Sequence, residues 1–492
     1  MANWNKEKLV KTIHDQFEGS QLVVVSNREP YLHSFASDGS IKAKRSVGGV
    51  SISFDSILRA TKGLWVAYGG SEADKAAVNQ HDEVKLPPGS EQYRLKRVWM
   101  SPRELEGYYN GVSNSALWPL CHVAFVKPVF KDADWRIYTR INRRFAEKTI
   151  ETLSDKPAVI WIQDYQFTLL PRFLRKVRDN LLIGHFWHIP WPTYEIFRIC
   201  PWKKEILEGM LGNDLIGFHR SFHARNFLDA VARELEANVD YDAQTIRYQH
   251  HTTKIIVQPV GVDAEDIRYR LSRNNKKTSA ILSKIPESMK TIAVGVDRID
   301  YTKGIPRRLV AIERFLKRYP IYHGQFTYIG LASPSRVAIP EYRQLMREVQ
   351  RLVDRINLRF GTPTWQPIVY LPEFISRTDT LLLLRDANVC LVTSLDDGMN
   401  LVAKEYVAAN NGEGMLILSE FTGAARDLAE AVLVNPYDDE QLMESIRTAI
   451  EMPEEERQRR LTIMKKRVSE NNLFRWAGKF LIRLAETRER VE

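Results

Sequence analysis

Two series of short, apolar strand-like runs alternate with longer segments of helical periodicity, and they constrain the fold more than any other feature. The first series is "LVVVSN", "LWVAYGG", "AVIWIQD", "LIGHFWHIP", "DLIGFH" and "KIIVQPVGV". The second series is "TIAVGVD", "QFTYIGL", "PIVYLPE", "VCLVTS", "GMLILS" and "AVLVNP". Strands this apolar, spaced by helices, predict parallel sheets that are covered on both faces. We therefore expect an α/β protein with two doubly wound domains.

A polar stretch rich in Lys and Arg, "EDIRYRLSRNNKKTSAILSKIPESMK", separates the two series and places the domain boundary near residues 262–290. We assign residues 1–265 to the first domain and 266–472 to the second. The last segment, "LFRWAGKFLIRLAETRER", has the pattern of a helix with one apolar face. In doubly wound sheets, ligands collect at the carboxyl ends of the strands, so we expect the functional residues to lie there.

The amino-acid composition narrows the classes of function that this chain can have. Three widely spaced cysteines disfavour a disulfide framework or a structural zinc site. The charged N-terminus lacks the apolar core of a signal peptide and no run is long enough to span a membrane, so a cytoplasmic location with no membrane partner is expected. The net charge of +10 suits an anionic partner, but the basic residues are scattered through helical segments. This scatter favours solvated helix faces or a small phosphorylated substrate over nucleic acid.

Two motifs in the second domain follow predicted strands. The segment "VGVDRIDYTKG" places Arg298 and Lys303 in a strand-end loop, which suits either a bound diphosphate or a surface ion-pair loop. The segment "SLDDGMNLVAKE" contains Asp397 and Glu405 and leads into a helix. The amides at the start of that helix could bind phosphate, with Glu405 accepting from ribose hydroxyls. A hydrolytic acid and base pair fits less well, since neither carboxylate has an obvious apolar pocket to raise its pKa.

Strand ends of the first domain supply further polar residues. Arg28 lies in "NREP", Asp164 in "IQDYQ" and His188 in "HFWHIPWP". The glycines Gly48 and Gly49 in "RSVGGVSISF" either approach an anion at a helix N-terminus or form a simple turn. Aromatic side chains in "GYYNGVSNSALWPL" either stack on a sugar ring or belong to the core; they are Tyr109 and Trp118.

In their order along the chain, these segments resemble the trehalose-6-phosphate synthases, family 20 of the retaining glycosyltransferases. The resemblance covers about residues 21 to 485 and depends on "SNR", "VGG", "GLW", "YYNxxSNxxLWP", "DYQ", "HIPWP", "GVDRIDYTKG", "SPSR" and "DGMNLVAKEY". It implies a GT-B fold, in which two Rossmann-like domains face each other across a cleft and a C-terminal helix, about residues 473–492, crosses back to the first domain. It also implies glucosyl transfer from UDP-glucose to glucose 6-phosphate, giving α,α-trehalose 6-phosphate and UDP.

The resemblance assigns roles to residues that match the family motifs. The catalytic set is Asp164, His188, Arg298 and Lys303. The first domain would bind the acceptor and the second the nucleotide sugar. Residues implied in donor binding are Gly49, His188, Arg298, Lys303, Asp397, Met399, Asn400, Leu401 and Glu405. Residues implied in acceptor binding are Arg28, Tyr109, Trp118, Asp164 and Arg336. No cofactor or metal is expected, because the two cations can neutralise the diphosphate and no Asp-x-Asp motif follows one of the predicted strands.

Two departures from the family pattern and several alternatives stay open. Many members have "HDYH" where this chain has "QDYQ", and "LRDG" where it has "LDDG", which places Asp396 beside Asp397. The segment "NREPY" is also similar to glucosylglycerol-phosphate synthases, which use an ADP-sugar and glycerol 3-phosphate. A non-catalytic sugar-phosphate sensor would keep the acceptor residues without needing Lys303 or Glu405. The nucleotide base and a homo-oligomeric state are left undecided by the sequence.

Overall fold

The computed structural model of the protein describes residues 4–45, 54–55, 57–59, 61–274, 278–286 and 289–488. The chain divides into two compact units. The first comprises Met1–Val260 together with Leu473–Glu492, and the second comprises Gly261–Asn472. The first unit therefore combines an N-terminal segment with a C-terminal segment that is distant in sequence.

Within the described residues, the first unit is built on a ten-stranded sheet with the order β10-β11-β12-β9-β8-β7-β1-β4-β6-β5. Parallel pairing joins the strands from β12 through to β6, and antiparallel strands lie at both edges. A separate antiparallel hairpin consists of β2 and β3. The strands are β1 Gln21–Ser26, β2 Tyr31–Phe35, β3 Ile41–Arg45, β4 Leu64–Tyr68, β5 Glu83–Leu86, β6 Tyr93–Val98, β7 Ala158–Gln163, β8 Leu182–Phe186, β9 Leu215–Phe218, β10 Asn238–Asp240, β11 Thr245–Tyr248 and β12 His251–Val257.

Helices cover this sheet, as expected for a parallel sheet with apolar strands on both faces. Every residue of the central strands β7, β8 and β9 is buried. The described α-helices of the unit are Lys6–Phe17, Glu72–Ala76, Pro102–Leu105, Trp118–Cys121, Asp132–Ile150, Leu170–Val177, Tyr194–Phe197, Lys203–Met210, Ser221–Glu234 and Leu473–Ala485. A π-helix spans Glu106–Leu117, and a 3-10 turn spans Tyr165–Phe167.

The C-terminal helix Leu473–Ala485 packs directly on the centre of this sheet. Phe480 stacks on Trp161 of β7 with ring centroids 4.8 Å apart and an interplanar angle of 6°. The helix approaches so closely that a Cβ atom on Gly184 of β8 would lie 2.8 Å from the Phe480 ring. Phe480 and Trp476 are both fully buried. This helix is therefore part of the core of the first unit.

The second unit contains, among its described residues, a six-stranded parallel sheet with the order β15-β14-β13-β16-β17-β18. Its strands are β13 Thr291–Arg298, β14 Phe326–Ser333, β15 Ile368–Leu371, β16 Val389–Val392, β17 Met415–Ser419 and β18 Val432–Val434. Its α-helices are Ala264–Ser272, Ile305–Arg318, Pro340–Phe360, Arg377–Asp386, Leu401–Ala409, Asp439–Glu451 and Glu454–Glu470. Short 3-10 turns occur at Leu282–Lys284, Tyr301–Lys303, Pro320–Tyr322 and Gly423–Arg426. Each unit thus alternates strands and helices, as the two series of apolar runs predict.

Across the part of the chain that the structure describes, no helix is both long enough and apolar enough to cross a membrane. The three cysteines are buried and form no disulfide.

Candidate active site

The turn after β13 contains the cationic motif of the second unit. The strand ends at Arg298, and the 3-10 turn Tyr301–Lys303 begins after Asp300, whose carboxylate accepts from the Thr302 amide at 3.1 Å. Gly304 has a φ of +65°, and a Cβ atom there would lie 2.2 Å from the Thr393 carbonyl oxygen. Glycine is therefore required where this turn passes the end of β16.

Arg308 lies beneath this turn, fully buried, and holds it in place. Its guanidinium donates to the Asp297 carboxylate at 2.7 Å, the Tyr328 hydroxyl at 2.9 Å and the Thr393 hydroxyl at 2.9 Å. A Cβ atom on Gly295 would lie 2.2 Å from this guanidinium, so the glycine provides the space that it fills. A buried cation needs such partners to offset its lost hydration. The network joins β13, β14 and the end of β16.

The loop after β16 brings Asp397 against Lys303. Lys303 Nζ lies 2.5 Å from Asp397 Oδ2, and both side chains are largely buried. The same carboxylate oxygen accepts from Asn400 Nδ2 at 3.1 Å and from the Ser394 hydroxyl at 3.2 Å. Three donors therefore hold one carboxylate in a single position beside the cationic turn.

The helix Leu401–Ala409 begins immediately after this loop. Asn400 caps it, accepting from the Ala403 amide at 3.2 Å, and has a φ of +72°. Met399 and Asn400 are buried, and Leu401 is half-buried. The first amides of a helix have no acceptor within the helix and carry partial positive charge, so this end of the helix favours an anion.

Glu405, on the next turn of this helix, forms a salt bridge with Arg377. Arg377 Nη1 lies 2.7 Å from Glu405 Oε2, and the glutamate side chain is 8% exposed. Arg377 is the first residue of a separate helix, Arg377–Asp386, which is capped by Ser376. The salt bridge thus fixes one oxygen of the buried Glu405 carboxylate, which the sequence analysis predicts to bind the ribose.

Arg336 is buried and paired with Asp300. Its Nη1 lies 2.9 Å from Asp300 Oδ2, and its side chain is only 2% exposed. Asp300 also lies 4.0 Å from Arg298. Burial opposes ionisation of Asp300, but the charges of Arg336, Arg298 and Lys303 outweigh it and lower the pKa of this carboxyl. A single buried aspartate therefore links the arginine predicted at the acceptor to the cations predicted at the donor diphosphate.

Asp396 and Asp397 have different surroundings. The pKa of the Tyr437 hydroxyl is raised by burial, lowered by Arg307 and raised again by the charge of Asp396. The Asp396 carboxylate therefore acts on Tyr437, whereas Asp397 pairs with Lys303. The additional aspartate of "LDDG", Asp396, thus has surroundings distinct from those of Asp397.

In the first unit, Tyr109 lies on the π-helix Glu106–Leu117 and is half-buried. Three consecutive polar side chains of this helix donate to carbonyl oxygens five residues earlier: Ser113 to Tyr108 at 2.8 Å, Asn114 to Tyr109 at 2.8 Å and Ser115 to Asn110 at 2.7 Å. This spacing matches the hydrogen-bond register of a π-helix, which is rare and often found at functional sites. The side chains therefore reinforce the register that positions Tyr109.

Asn114 also connects the π-helix to the turn that follows β7. Its Oδ1 accepts from the Tyr165 hydroxyl at 2.8 Å. Tyr165 follows Asp164, which has a φ of +70°, an uncommon conformation for a residue other than glycine. Trp118 is 5% exposed and lies against Tyr165 and His122, with ring centroids 5.7 and 4.1 Å away. In this structure its ring thus packs as a core side chain.

Asp164 and His188 lie together at the ends of neighbouring strands β7 and β8. The Asp164 carboxylate accepts from the His188 amide at 3.2 Å. His188 Nε2 lies 2.9 Å from the side-chain oxygen of Gln163. Burial, with a smaller effect of His185, lowers the pKa of the His188 imidazole to about 3. His188 is therefore neutral at physiological pH.

Arg28 is exposed after β1, while the residue that follows it is buried. Glu29 accepts from Arg97 Nε at 2.7 Å, and Arg97 is fully buried and also pairs with Asp74 at 2.8 Å. Burial raises the pKa of Glu29 to about 8, against the lowering effect of Arg97. The glycines Gly48 and Gly49 lie outside the described residues. The chain around Arg28 is therefore anchored by a charged cluster in the interior.

The structure brings several predicted residues together within each unit. In the second, Lys303 pairs with Asp397. In the first, Asp164 lies next to His188, and Arg28 lies at the end of the adjacent strand β1.

The sequence interpretation missed the supporting residues Gln163, Asn114, Asp300, Arg308 and Arg377. Four of these lie in or next to motifs already singled out, but Arg377 is distant from any motif and nothing in the sequence indicates it. Among the described residues, no cluster of three or more His, Cys, Asp or Glu side chains is arranged to hold a metal ion.

Two Rossmann-like units with charged residues at their strand ends are typical of glycosyltransferases of the GT-B class. Within that class, the chain belongs to glycosyltransferase family 20, whose model matches residues 20–486. The predicted fold class and family are confirmed.

Named relatives agree over nearly the whole chain. The trehalose-6-phosphate synthase of Mycobacterium sp. (strain KMS) is 37% identical over 479 residues, covering 95% of this chain and 96% of that protein. The one from Mycobacterium leprae is 37% identical over 486 residues, covering 97% of each.

Solved structures give the same result. An E. coli structure bound with UDP-2-fluoro glucose has a TM-score of 0.83 and 31% identity, covering 95% of this chain and 99% of that one. A UDP-forming α,α-trehalose-phosphate synthase from Burkholderia xenovorans, in complex with glucose-6-phosphate, has a TM-score of 0.85 and 29% identity, covering 94% of this chain and 100% of that one.

Proposed function

We propose that this protein is a retaining glucosyltransferase that transfers glucose from UDP-glucose to glucose 6-phosphate, giving α,α-trehalose 6-phosphate and UDP. The observation that carries the proposal is the Lys303–Asp397 pair beside the N-terminus of the helix Leu401–Ala409. It combines a cation, a fixed carboxylate and a helix N-terminus at neighbouring strand ends. A sugar diphosphate presents hydroxyls and phosphate oxygens that match these groups.

The second unit binds the donor in this proposal. Arg298 and Lys303 neutralise the diphosphate, and Asp397, with backbone at Met399, Asn400 and Leu401, holds glucosyl hydroxyls. Glu405 accepts from the ribose; its Oε2 is already oriented by Arg377, 2.7 Å away. A carboxylate that is positioned before the ligand arrives loses little entropy when it binds.

The first unit supplies acceptor contacts. Exposed Arg28 binds the phosphate of glucose 6-phosphate, and Asp164 holds acceptor hydroxyls. Tyr109, which is half-buried, contributes aromatic surface, while Trp118 packs in the core against Tyr165. Arg336 of the second unit contributes a further cation. In this structure the Arg336 side chain is 2% exposed and paired with Asp300. His188 contacts the transferred glucose. Gly49, to which the family resemblance gives a role at the donor, lies outside the described residues.

The chemistry follows from positioning and charge. The acceptor hydroxyl attacks the anomeric carbon on the face from which the diphosphate departs. The bond from the anomeric carbon to the diphosphate oxygen breaks, and that oxygen takes the proton of the attacking hydroxyl. The protein places the two substrates together and stabilises the negative charge that grows on the diphosphate. Arg298 and Lys303 are suited to this task because both are cationic side chains, one at the end of β13 and the other in the turn that follows it.

We further propose that transfer needs no bound divalent ion, because these two cations supply the charge neutralisation. The partners are then the two small-molecule substrates, and a cytoplasmic location remains a prediction. Activity that persists in the presence of a chelator would support the metal-free mechanism. Activity that is lost with the chelator and restored by a divalent ion would contradict it.

The decisive experiment is an activity matrix with purified protein. The donors are UDP-, GDP- and ADP-glucose, and the acceptors are glucose 6-phosphate and glycerol 3-phosphate. We expect nucleotide release that depends on glucose 6-phosphate and is greatest with UDP-glucose, and trehalose 6-phosphate should be identified as the product. Release only with ADP-glucose and glycerol 3-phosphate would instead identify a glucosylglycerol-phosphate synthase. No release with any pair would indicate a sugar-phosphate sensor.

A further inference from the structure

Among the described residues, the side chain of Gln163 is the hydrogen-bond partner of the His188 ring. Gln163 is the last residue of β7 and is 3% exposed. Its Oε1 lies 2.9 Å from His188 Nε2. His188 follows β8, the strand paired in parallel with β7, and its ring is half-buried. A buried, uncharged amide therefore contacts one nitrogen of a histidine proposed to touch the transferred glucose.

We propose that Gln163 is a positioning residue that holds His188 in the tautomer with its proton on Nε2, leaving Nδ1 as an acceptor for a hydroxyl of the transferred glucose. The inference rests on the proposed function for the identity of that sugar. The amide oxygen can only accept, so the imidazole nitrogen that faces it must carry a proton. In a neutral imidazole the other nitrogen then has the lone pair.

The neighbouring histidine, His185, also has its Nε2 directed to an oxygen atom, in this case a backbone carbonyl oxygen. His185 Nε2 lies 2.9 Å from the carbonyl oxygen of Asp164, so its proton is also on Nε2. Burial lowers the pKa of His185 to about 4. Both imidazoles are thus neutral over the physiological range, and each has its Nε2 proton directed to a fixed oxygen at the end of β7.

An amide suits this position because it does not titrate. The other titratable groups around the His188 ring, among the described residues, are His185, the Asp164 carboxylate and His219. The Asp164 carboxylate is directed to the backbone amide of His188. His219 accepts from the Val260 amide through Nδ1 at 3.4 Å, and its ring centroid lies 5.3 Å from that of His188. The C-terminal helix contributes the apolar Trp476. The tautomer of His188 is therefore independent of pH wherever His188 is neutral.

Nuclear magnetic resonance of the full-length protein with 15N-labelled histidine tests the tautomer without substrate. The His188 signals are assigned by their loss in His188→Gln. We expect a protonated Nε2 and a bare Nδ1 across the neutral range. A proton on Nδ1 would overturn the proposal, because the Gln163 amide would then present its nitrogen to the ring. Since no turnover is needed, absent transferase activity would refute the proposed function and leave this measurement valid.

A near-isosteric replacement tests the consequence for catalysis. In Gln163→Glu the carboxylate still accepts from Nε2 but stabilises the imidazolium, so the pKa of His188 rises. Below that raised pKa, Nδ1 is protonated and the rate of transfer should fall about tenfold for each pH unit. The wild type should show no such fall near neutrality. The matched control is Gln166→Glu, which adds the same charge three residues along the chain and should not change the shape of the pH profile. A pH profile of Gln163→Glu identical to the wild type would refute the positioning role.

Discussion

Arg377 Nη1 lies 2.7 Å from Glu405 Oε2, and this salt bridge joins the start of the helix Arg377–Asp386 to the middle of the helix Leu401–Ala409. It orients the carboxylate proposed to bind the ribose of the donor. Replacing Glu405 by Gln keeps the shape of the side chain but removes its negative charge. Both the contact with Arg377 and the proposed contact with the ribose then lose a charged acceptor. We expect the KM for UDP-glucose to rise roughly tenfold, in line with the loss of a charge-assisted hydrogen bond.

The measurement for Glu405→Gln is steady-state kinetics with each substrate varied in turn, together with UDP binding by calorimetry. Glu413→Gln provides the matched control, because Glu413 is exposed in the loop after the same helix. An unchanged donor KM, or an equal rise in the acceptor KM, would remove Glu405 from the ribose site.

Lys303→Ala tests the diphosphate role. The change removes the cation 2.5 Å from Asp397 and leaves that carboxylate with Ser394 and Asn400. We expect kcat to fall by on the order of a hundredfold to a thousandfold, the usual effect of removing one group that stabilises transition-state charge. Circular dichroism should show an intact fold. Lys317→Ala, an exposed lysine on the following helix, serves as control, and near-normal turnover of Lys303→Ala would exclude the proposed role.

Arg336→Lys separates acceptor binding from folding. Removing the charge altogether would leave buried Asp300 without its closest cation and destabilise the unit by about 3–5 kcal/mol. Lysine keeps the charge but cannot form the bidentate contacts of a guanidinium with phosphate. We expect the KM for glucose 6-phosphate to rise about tenfold while the donor KM stays constant. Arg347→Ala, exposed on the nearby helix Pro340–Phe360, is the control, and an unchanged acceptor KM would contradict the assignment.

Asn114→Ala tests whether the π-helix positions the acceptor residues. The substitution removes the acceptor of the Tyr165 hydroxyl and the donor to the Tyr109 carbonyl. We expect a loss of about 1–3 kcal/mol in unfolding free energy and a higher KM for glucose 6-phosphate, since Tyr109 and Asp164 are no longer held. Asn110→Ala removes a solvent-exposed contact to Glu106 on the same helix and should be close to wild type. Equal kinetics for the two variants would show that Asn114 has only a structural role.

Glu29→Gln tests the buried charged cluster through pH. The pKa of Glu29 rises from 4.5 to about 8 on folding, so between these values the folded protein holds a proton that the unfolded chain has lost. The unfolding free energy of the wild type should therefore fall, relative to the variant, by about 1.4 kcal/mol for each pH unit gained within this window. Denaturant unfolding followed by tryptophan fluorescence reports on the correct unit, because Trp365 is the one tryptophan of eleven in the second unit. A pH-independent difference would show that Glu29 is ionised in the folded protein.

Much of the fold could be predicted because its central strands are continuous apolar runs. The runs around "LVVVS" and "TIAVGVD" correspond to β1 and β13. Strand β6 was not predicted because its sequence, "YRLKRV", contains buried Lys96 and Arg97, whose charges are offset by partners from other elements. The π-helix was missed because its register is reinforced by side chains that donate to carbonyl oxygens five residues earlier. The spacing of apolar residues in the sequence does not indicate such hydrogen bonds.

The candidate site also contains residues that could be predicted from the sequence and residues that could not. Residues in the strand-end motifs, such as Lys303 and Asp397, could be found because the chain order of the motifs is specific to the family. Their supports could not, since Arg308 acts from the following helix and Arg377 from a helix 28 positions away from Glu405. The pairing of Arg336 with Asp300 also depends on tertiary structure, and it shows that a motif identifies a residue without giving its conformation.

The C-terminal helix has a consequence for the order of folding. Its Phe480 fills the space above Gly184 and stacks on Trp161, roughly three hundred residues earlier in the chain. A contact of such long range forms late, because a large loop must close before it contributes. During synthesis, the whole second unit emerges before Trp476 and Phe480 do, so it can fold first. The sheet of the first unit then remains incompletely covered until translation reaches the last helix, and it is the part of the nascent chain that most needs protection from aggregation.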